Sequence, residues 1–175
     1  MLFTMRIERI PGTGLNGTAP PRAGERRAYT RKAIRLLGWK ATVLVGGERS
    51  GGRLALIECE GARGDAVPLH AHDNEDEVLY VLEGELTVLL VDEELSAPAG
   101  SALILPRGVE HSFVVESEGA RVLVVFSPAG IEGFVEEMGR TVEGDGYEIE
   151  RLVGAAARYG VDFTGPPPKS RRADE

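Results

Sequence analysis

The chain predicts an all-β barrel or jelly roll, and three observations carry that prediction. Eight short β-rich runs follow one another at close spacing, glycine-containing turn signals separate them, and the period becomes helical only after Pro128. The runs cover residues 39–45, 53–59, 66–72, 77–82, 85–91, 102–105, 111–116 and 121–126. Each is rich in Val, Leu and Ile, the side chains that suit a pleated, half-buried surface. Gly46-Gly47, Gly51-Gly52 and Glu83-Gly84 supply breaks between them. Many short strands in one chain resolve their open edges by closing into a barrel or stacking as two sheets.

The flanks divide the chain into three parts of one structural domain: an arm over residues 1–37, the barrel over 38–127, and a helical extension and tail over 128–175. Residues 11–31 are rich in Gly, Pro and Arg without sustained periodicity, the mark of an arm or linker. Its arginines, Arg22, Arg26, Arg27 and Arg31, are read as solvated, with docking onto a second subunit as the functional option. Ile131 to Met138 predicts a short helix. Tyr147 to Tyr159 places Ile149, Leu152, Val153 and Ala156 at i, i+3, i+4 and i+7, an amphipathic helix that would cover a barrel face or build a subunit contact. The tail, Gly165 to Glu175, is proline-rich and then charged, and is expected to be extended or poorly ordered.

Composition narrows the function classes. At 175 residues and 42% hydrophobic content the chain fits one globular domain with a proper core. A net charge of -8 argues against a dedicated nucleic-acid surface. No helix-turn-helix pattern precedes the barrel. No apolar run approaches the length of about 18 residues that a membrane helix needs. The first ten residues lack the basic start and apolar core of a secretion signal, so a cytoplasmic location is expected. The single Cys59 allows no intrachain disulfide, in keeping with a reducing compartment, and reads as a small buried hydrophobe.

All three histidines fall in two spaced stretches. The first runs from Gly64 through His70-Ala-His72 and Glu77 to Gly84, and the second runs from Gly100 through Pro106-Arg-Gly108 to His111. Strand side chains alternate faces, so His70 and His72 lie on one side with backbones roughly 6.6 to 7 Å apart. Two imidazoles so placed can converge on one ion at about 2.0 to 2.1 Å each. Gly64, Gly84, Gly100 and Gly108 read as turns needing positive φ or close backbone approach, and Pro106 as the shaper of the turn before the strand of His111.

These stretches resemble the two motifs of the cupin superfamily: G, five residues, HxH, three or four residues, E, six residues, G; then G, five residues, PxG, two residues, H, three residues, N. The first is matched at every defined position and the second at all but the last, where Val115 stands for Asn. The overall layout is similar to short bacterial single-domain cupins called quercetin-dioxygenase-like. The resemblance covers about residues 38 to 127 and implies a cupin double-stranded β-barrel with an N-terminal arm and C-terminal helices. It carries a metal-ligand role onto His70, His72, Glu77 and His111, and implies a homodimer.

Three imidazoles and a carboxylate suit one divalent transition ion, whether Fe, Mn, Ni, Co, Cu or Zn. An octahedral ion would keep two positions for a substrate or dioxygen. By strand parity Leu79 and Val81 share the face of Glu77, and Phe113 and Val115 share that of His111. These four are therefore expected to line a largely apolar pocket without lysine or arginine. Cupin sugar epimerases rely on a histidine base, whereas here each histidine is assigned to the ion. The leading expectation is a dioxygenase acting on an aromatic or enol-bearing small molecule held through oxygen, with Glu77 as ligand and general base. The alternatives are a non-redox metal-dependent isomerase, decarboxylase or cyclase, and a binding module without turnover.

Overall fold

The computed structural model describes residues 33–141 and 149–171. Arg22, Arg26, Arg27 and Arg31 lie outside these residues. The first half of the barrel comprises β1 (Ala33–Leu36), β2 (Trp39–Val45), β3 (Ala55–Ala62), β4 (Ala66–His72) and β5 (Asp76–Glu83), with a short helix α1 (Gly47–Ser50) between β2 and β3. The second half comprises β6 (Glu85–Leu90), β7 (Glu93–Pro98), β8 (Ala102–Leu105), β9 (His111–Val115) and β10 (Gly119–Ser127). Helices α2 (Glu132–Thr141) and α3 (Ile149–Arg158) and a last strand, β11 (Val161–Phe163), complete the order.

The strands form two antiparallel sheets, ordered β1-β2-β3-β10-β5-β8 and β11-β4-β9-β6-β7. Their inner faces meet in one core in which Leu79, Val81, Leu86, Val88, Val115 and Val122 are fully buried. The alternation that predicted the strands is the alternation that fills this core: β5 reads buried at Glu77, Leu79 and Val81, with Val78 and Tyr80 on the outer face. Tyr80 is 41% exposed there, and Ile104, paired with Val78, is 62% exposed.

Eight strands were expected and eleven are present among the described residues; the three extra ones all lie at sheet edges. β7 is an edge strand whose sequence, Glu-Glu-Leu-Ser-Ala-Pro, buries only Ala97. Polar residues and proline suit an edge that must not recruit another chain, and they erase the pattern by which strands are found. β1 and β11 are also edge strands, of four and three residues, too short to establish a period. β1 falls inside the expected arm, so the arm is ordered from Ala33 onward.

Helix α2 lies close on β1: a Cβ at Gly139 would come within 2.4 Å of the Ile34 side chain. The expected apolar stripe of the last helix needs correction. α3 buries Leu152, Ala155 and Ala156, while Val153 is 43% exposed. With two small alanines on the inner side the helix settles close to its support, and Val153 rotates outward. Among the described residues, no helix is long and apolar enough to cross a membrane.

The tail, expected to be extended or poorly ordered, has no helix or strand from Thr164 to Ser170 and is tied down through Arg171. Thr164 N donates to Leu69 O at 2.9 Å, and Gly165 N donates to the same oxygen at 3.3 Å. Ser170 Oγ donates to Glu116 Oε2 at 2.8 Å, and Arg171 N donates to the same carboxylate at 3.1 Å. Glu116 is buried and also accepts from Thr87 Oγ1 at 2.8 Å. Arg171 adds an ion pair with Glu94 on β7. A buried carboxylate needs several donors, and the tail supplies two of them.

Candidate metal centre

The four motif residues converge from three strands of both sheets. His70 and His72 stand on β4, His111 on β9 and Glu77 on β5. Antiparallel pairing sets His70 directly opposite His111, with ring centroids 4.3 Å apart. A register irregularity between Val67 and His70 lets both face the interior although they are three residues apart. The turn at Pro106 does more than deliver His111: Gly108 N donates to His72 O at 2.8 Å, stitching the second motif to the first. Arg107 of that turn clamps Asp76, beside Glu77, through Nε at 3.1 Å and an Nη at 2.8 Å. All four motif glycines adopt positive φ. At Gly84 the demand is double, since φ is +84° and a Cβ would lie 2.3 Å from Gly119 O.

One possible ligand atom from each of His70, His72, Glu77 and His111 lies within 4.8 Å of the others, and all four residues are buried. His72 Nε2 is 3.2 Å and His111 Nε2 is 3.3 Å from Glu77 Oε2. Bonds of about 2.0 to 2.1 Å place neighbouring ligands around one ion roughly 2.9 to 3.4 Å apart, so these spacings fit a cation. Tautomers agree. His70 Nδ1 donates to Pro68 O at 2.8 Å and His111 Nδ1 donates to Val109 O at 2.9 Å, which aims each Nε2 lone pair at the centre. His111 Nε2 is buried with no hydrogen-bond partner, the state expected of an atom that awaits an ion.

Electrostatics favour the ligand forms of His70 and Glu77. Burial, aided by the charge of His111, pulls His70 down to about 3, so it is neutral near pH 7. Burial pushes the Glu77 carboxyl up, but the adjoining imidazoles of His111 and His72 outweigh it and hold the group below the usual carboxylate range. Burial works against a charge on His111 too, yet its contacts with Glu77 carry it above the ordinary histidine value. A proton on His111 Nε2 would therefore compete with an ion for the same lone pair.

The centre forms one wall of a cavity of about 120 Å³, against the roughly 10 to 15 Å³ that admits one water. Trp39, Phe113, Phe126, Phe134 and Phe163 contribute rings, and among the described residues no lysine or arginine lines it. Of the four residues expected in the pocket, only Phe113 is there. Leu79, Val81 and Val115 point inward as parity requires but are completely buried in the core, outside the cavity wall. Along β5 the cavity wall stops at Glu77, and two residues further, about 6.6 to 7 Å, Leu79 is already outside it.

Cys59, expected as a small buried hydrophobe, is a half-buried free thiol that faces the cavity. Burial, reinforced by the nearby Glu77, pushes it up to about 12, so it is a neutral thiol. The other walls come from elements that carry no motif: Trp39 on β2, Ile131, Phe134 and Val135 at α2, and Val161 and Phe163 on β11. The parity of Trp39 and Ala41, or of Ile57 and Cys59, could have flagged β2 and β3. No local signal points to β11. Glu75, in the turn between β4 and β5, is also buried; burial raises its carboxyl above the ordinary range, opposed chiefly by the charge of His72.

Comparison with known proteins agrees with this arrangement. The family profile described as "Cupin domain" matches residues 58–126. Quercetin 2,3-dioxygenase of Bacillus subtilis is 31% identical over 100 residues, covering 57% of this chain and 28% of that protein. Tetracenomycin polyketide synthase protein TcmJ of Streptomyces glaucescens is 38% identical over 72 residues, covering 39% of this chain and 47% of that protein. The chain thus spans less than half the length of these two relatives. Among solved structures, an RmlC-like cupin from Shewanella frigidimarina superposes with a TM-score of 0.53 at 23% identity, covering 68% of this chain and 99% of that one. With both motifs in place, the ligand side chains gathered and the two-sheet architecture shared, residues 58–126 match a cupin domain.

Proposed function

We propose that this protein is a metal-dependent dioxygenase acting on an aromatic or enol-bearing small molecule. The observation that carries the reading is a buried three-histidine, one-glutamate cluster opening onto a ring-lined cavity in which, among the described residues, there is no lysine or arginine. Such a wall suits a neutral, planar, oxygen-bearing molecule better than a phosphorylated one. His70, His72, Glu77 and His111 would hold one divalent ion, Fe, Mn, Ni, Co, Cu or Zn, which supplies Lewis acidity and, except for zinc, redox chemistry. Apolar rings around the site exclude water and strengthen the electrostatics within it. Among the described residues Glu77 is the only carboxylate lining the cavity, and it would take the proton of a substrate hydroxyl. The similarity to a quercetin 2,3-dioxygenase supports this reading.

The similarity to a polyketide synthase protein favours a second reading, a non-redox metal-dependent cyclase or isomerase using the same cavity. Oxygen consumption separates the two. Protein reconstituted with each metal in turn is to be incubated with a flavonol panel with and without oxygen. Uptake of oxygen tied to particular metals is the expected result; product formation without uptake would transfer the site to the second reading, and no turnover under any metal would remove both.

A further inference from the structure

The three histidines of the centre are not equally secured. His70 and His111 each direct Nδ1 to a backbone carbonyl two residues earlier, at 2.8 and 2.9 Å. His72 has no such tether: its Nδ1 is buried and without a hydrogen-bond partner. The neighbourhood offers it no route to solvent. The Phe126 ring stands edge-on to the imidazole at 5.4 Å, and β11 pairs with β4 at His72 through Val161. A metal-bound imidazole whose second nitrogen has no acceptor is a poorer and less oriented ligand.

Three residues further on, Glu75 presents the complementary defect. The residue is 3% exposed, and its Oε2 is buried with no donor. Its other oxygen, Oε1, faces Gly130 at the entry to α2, 3.1 Å from where a Cβ would stand. The turn that holds Glu75 is fixed at both ends, by Asp73 N donating to Gly160 O at 2.8 Å and by Arg107 on Asp76. The turn that carries Glu75 is therefore held at the end of the ligand strand. Among the described residues four buried side-chain polar atoms lack partners: Trp39 Nε1 on β2, His111 Nε2 at the centre, His72 Nδ1 and Glu75 Oε2; the last is the one carboxylate oxygen of the four, and His72, three residues away, is the donor nearest to it in the chain.

We infer that Glu75 is a positioning residue of the metal centre, accepting the Nδ1 proton of His72 directly or across one water and so presenting His72 Nε2 to the ion. This makes a carboxylate–histidine–metal relay at one of the three histidines, where the other two use backbone carbonyls. Glu75 does not touch the ion or the substrate in this role. The inference rests on the metal-centre reading above but not on the reaction assigned to it, so zinc, which performs no redox step, is a sufficient probe.

The test measures zinc affinity by chelator competition for the parent, Glu75→Leu and Glu75→Gln, together with imidazole 15N spectra of the zinc-loaded proteins. Outer-shell carboxylates of this kind change affinity 10- to 100-fold, so Glu75→Leu should weaken zinc binding by about that factor and Glu75→Gln, which keeps an acceptor, should recover most of the loss. In the parent, the His72 Nδ1–H resonance should show a strongly hydrogen-bonded proton; in Glu75→Leu that signal alone should move, with those of His70 and His111 unchanged. Equal affinities in parent and Glu75→Leu, or a His72 signal indifferent to the substitution, would overturn the inference while leaving the metal centre intact. A parent that binds no zinc would overturn both. If Glu75→Leu does not fold, the parent spectrum and Glu75→Gln decide: a His72 Nδ1 without a hydrogen-bonded proton rejects the relay.

Discussion

Two segments meet at the same cavity and reach it by different physics. The β4–β9 pair brings three histidines to one point through rules that act over a few residues: side-chain alternation, one bulge, and the turn at Pro106 and Gly108. The C-terminal segment from Val161 to Arg171 lies against β4 and contributes Phe163 to the cavity wall, 6.0 Å from the His70 ring, yet nothing local holds it. Its position is decided by Leu69 O and by the buried Glu116, more than fifty residues away in sequence. The difference separates the parts of the molecule by role. The ion site is written into short-range pattern, and the surface that would select a substrate is assembled from long-range contacts.

The comparison breaks most severely if the ligand set is removed. Glu77→Ala or His111→Ala should abolish metal retention, read by elemental analysis after dialysis, because each removes an inner ligand while leaving the other ligand strands in place. Stability of the barrel itself depends on packing near that set rather than in the cavity. Leu79→Ala, at a fully buried position, should cost about 2 to 5 kcal/mol in denaturant unfolding, and a cost below about 1 kcal/mol would place Leu79 at a soft, cavity-facing surface.

The C-terminal segment should respond separately. Glu116→Leu removes the acceptor shared by Thr87, Ser170 and Arg171 N. It should destabilise the segment by about 1 to 3 kcal/mol, seen as faster hydrogen exchange over 161–171 with the β5 and β10 amides unchanged. Faster exchange throughout would show that tail and barrel unfold as one unit.

Protonation gives two finer readings. Since contact with Glu77 raises His111 above histidine's ordinary value, metal loading should release more proton as pH falls below neutrality, and calorimetry in buffers of different ionisation enthalpy should show it. Affinity should accordingly fall as pH falls. At the rim, hydrogen bonding from Arg107 takes Asp76 down to about 2 from an ordinary 3.8. A carboxylate depressed in the folded state stabilises above its unfolded value and loses that effect as pH falls through the folded one. Asp76→Asn should therefore lower stability slightly at pH 7 and not at pH 2, the effect being small because both partners are about half exposed.

Much of the architecture was legible. Residues 39–45, 66–72 and 102–105 were bounded as strands from pattern alone and are β2, β4 and β8. The spacing of His70, His72, Glu77 and His111 marked the residues that the fold brings together. Of the four edge strands, β8 was legible through its apolar Ala-Leu-Ile-Leu, whereas the polar residues of β7 erase its alternation and β1 and β11, of four and three residues, carry little period. Parity assigned Leu79, Val81 and Val115 to the inside correctly but could not say how far the cavity extends along a strand.

By itself, then, the order of residues determined the strand faces, the turns at the motif glycines and the identity of the side chains offered to an ion, since each of these depends on neighbours within a few positions. Only the folded chain decided what surrounds that ion. Trp39 from the second strand, Phe134 from a helix and Phe163 from the last strand become neighbours because burying apolar surface is indifferent to distance along the chain, and the tail is fixed because one buried carboxylate needs the donors that only that tail brings to it.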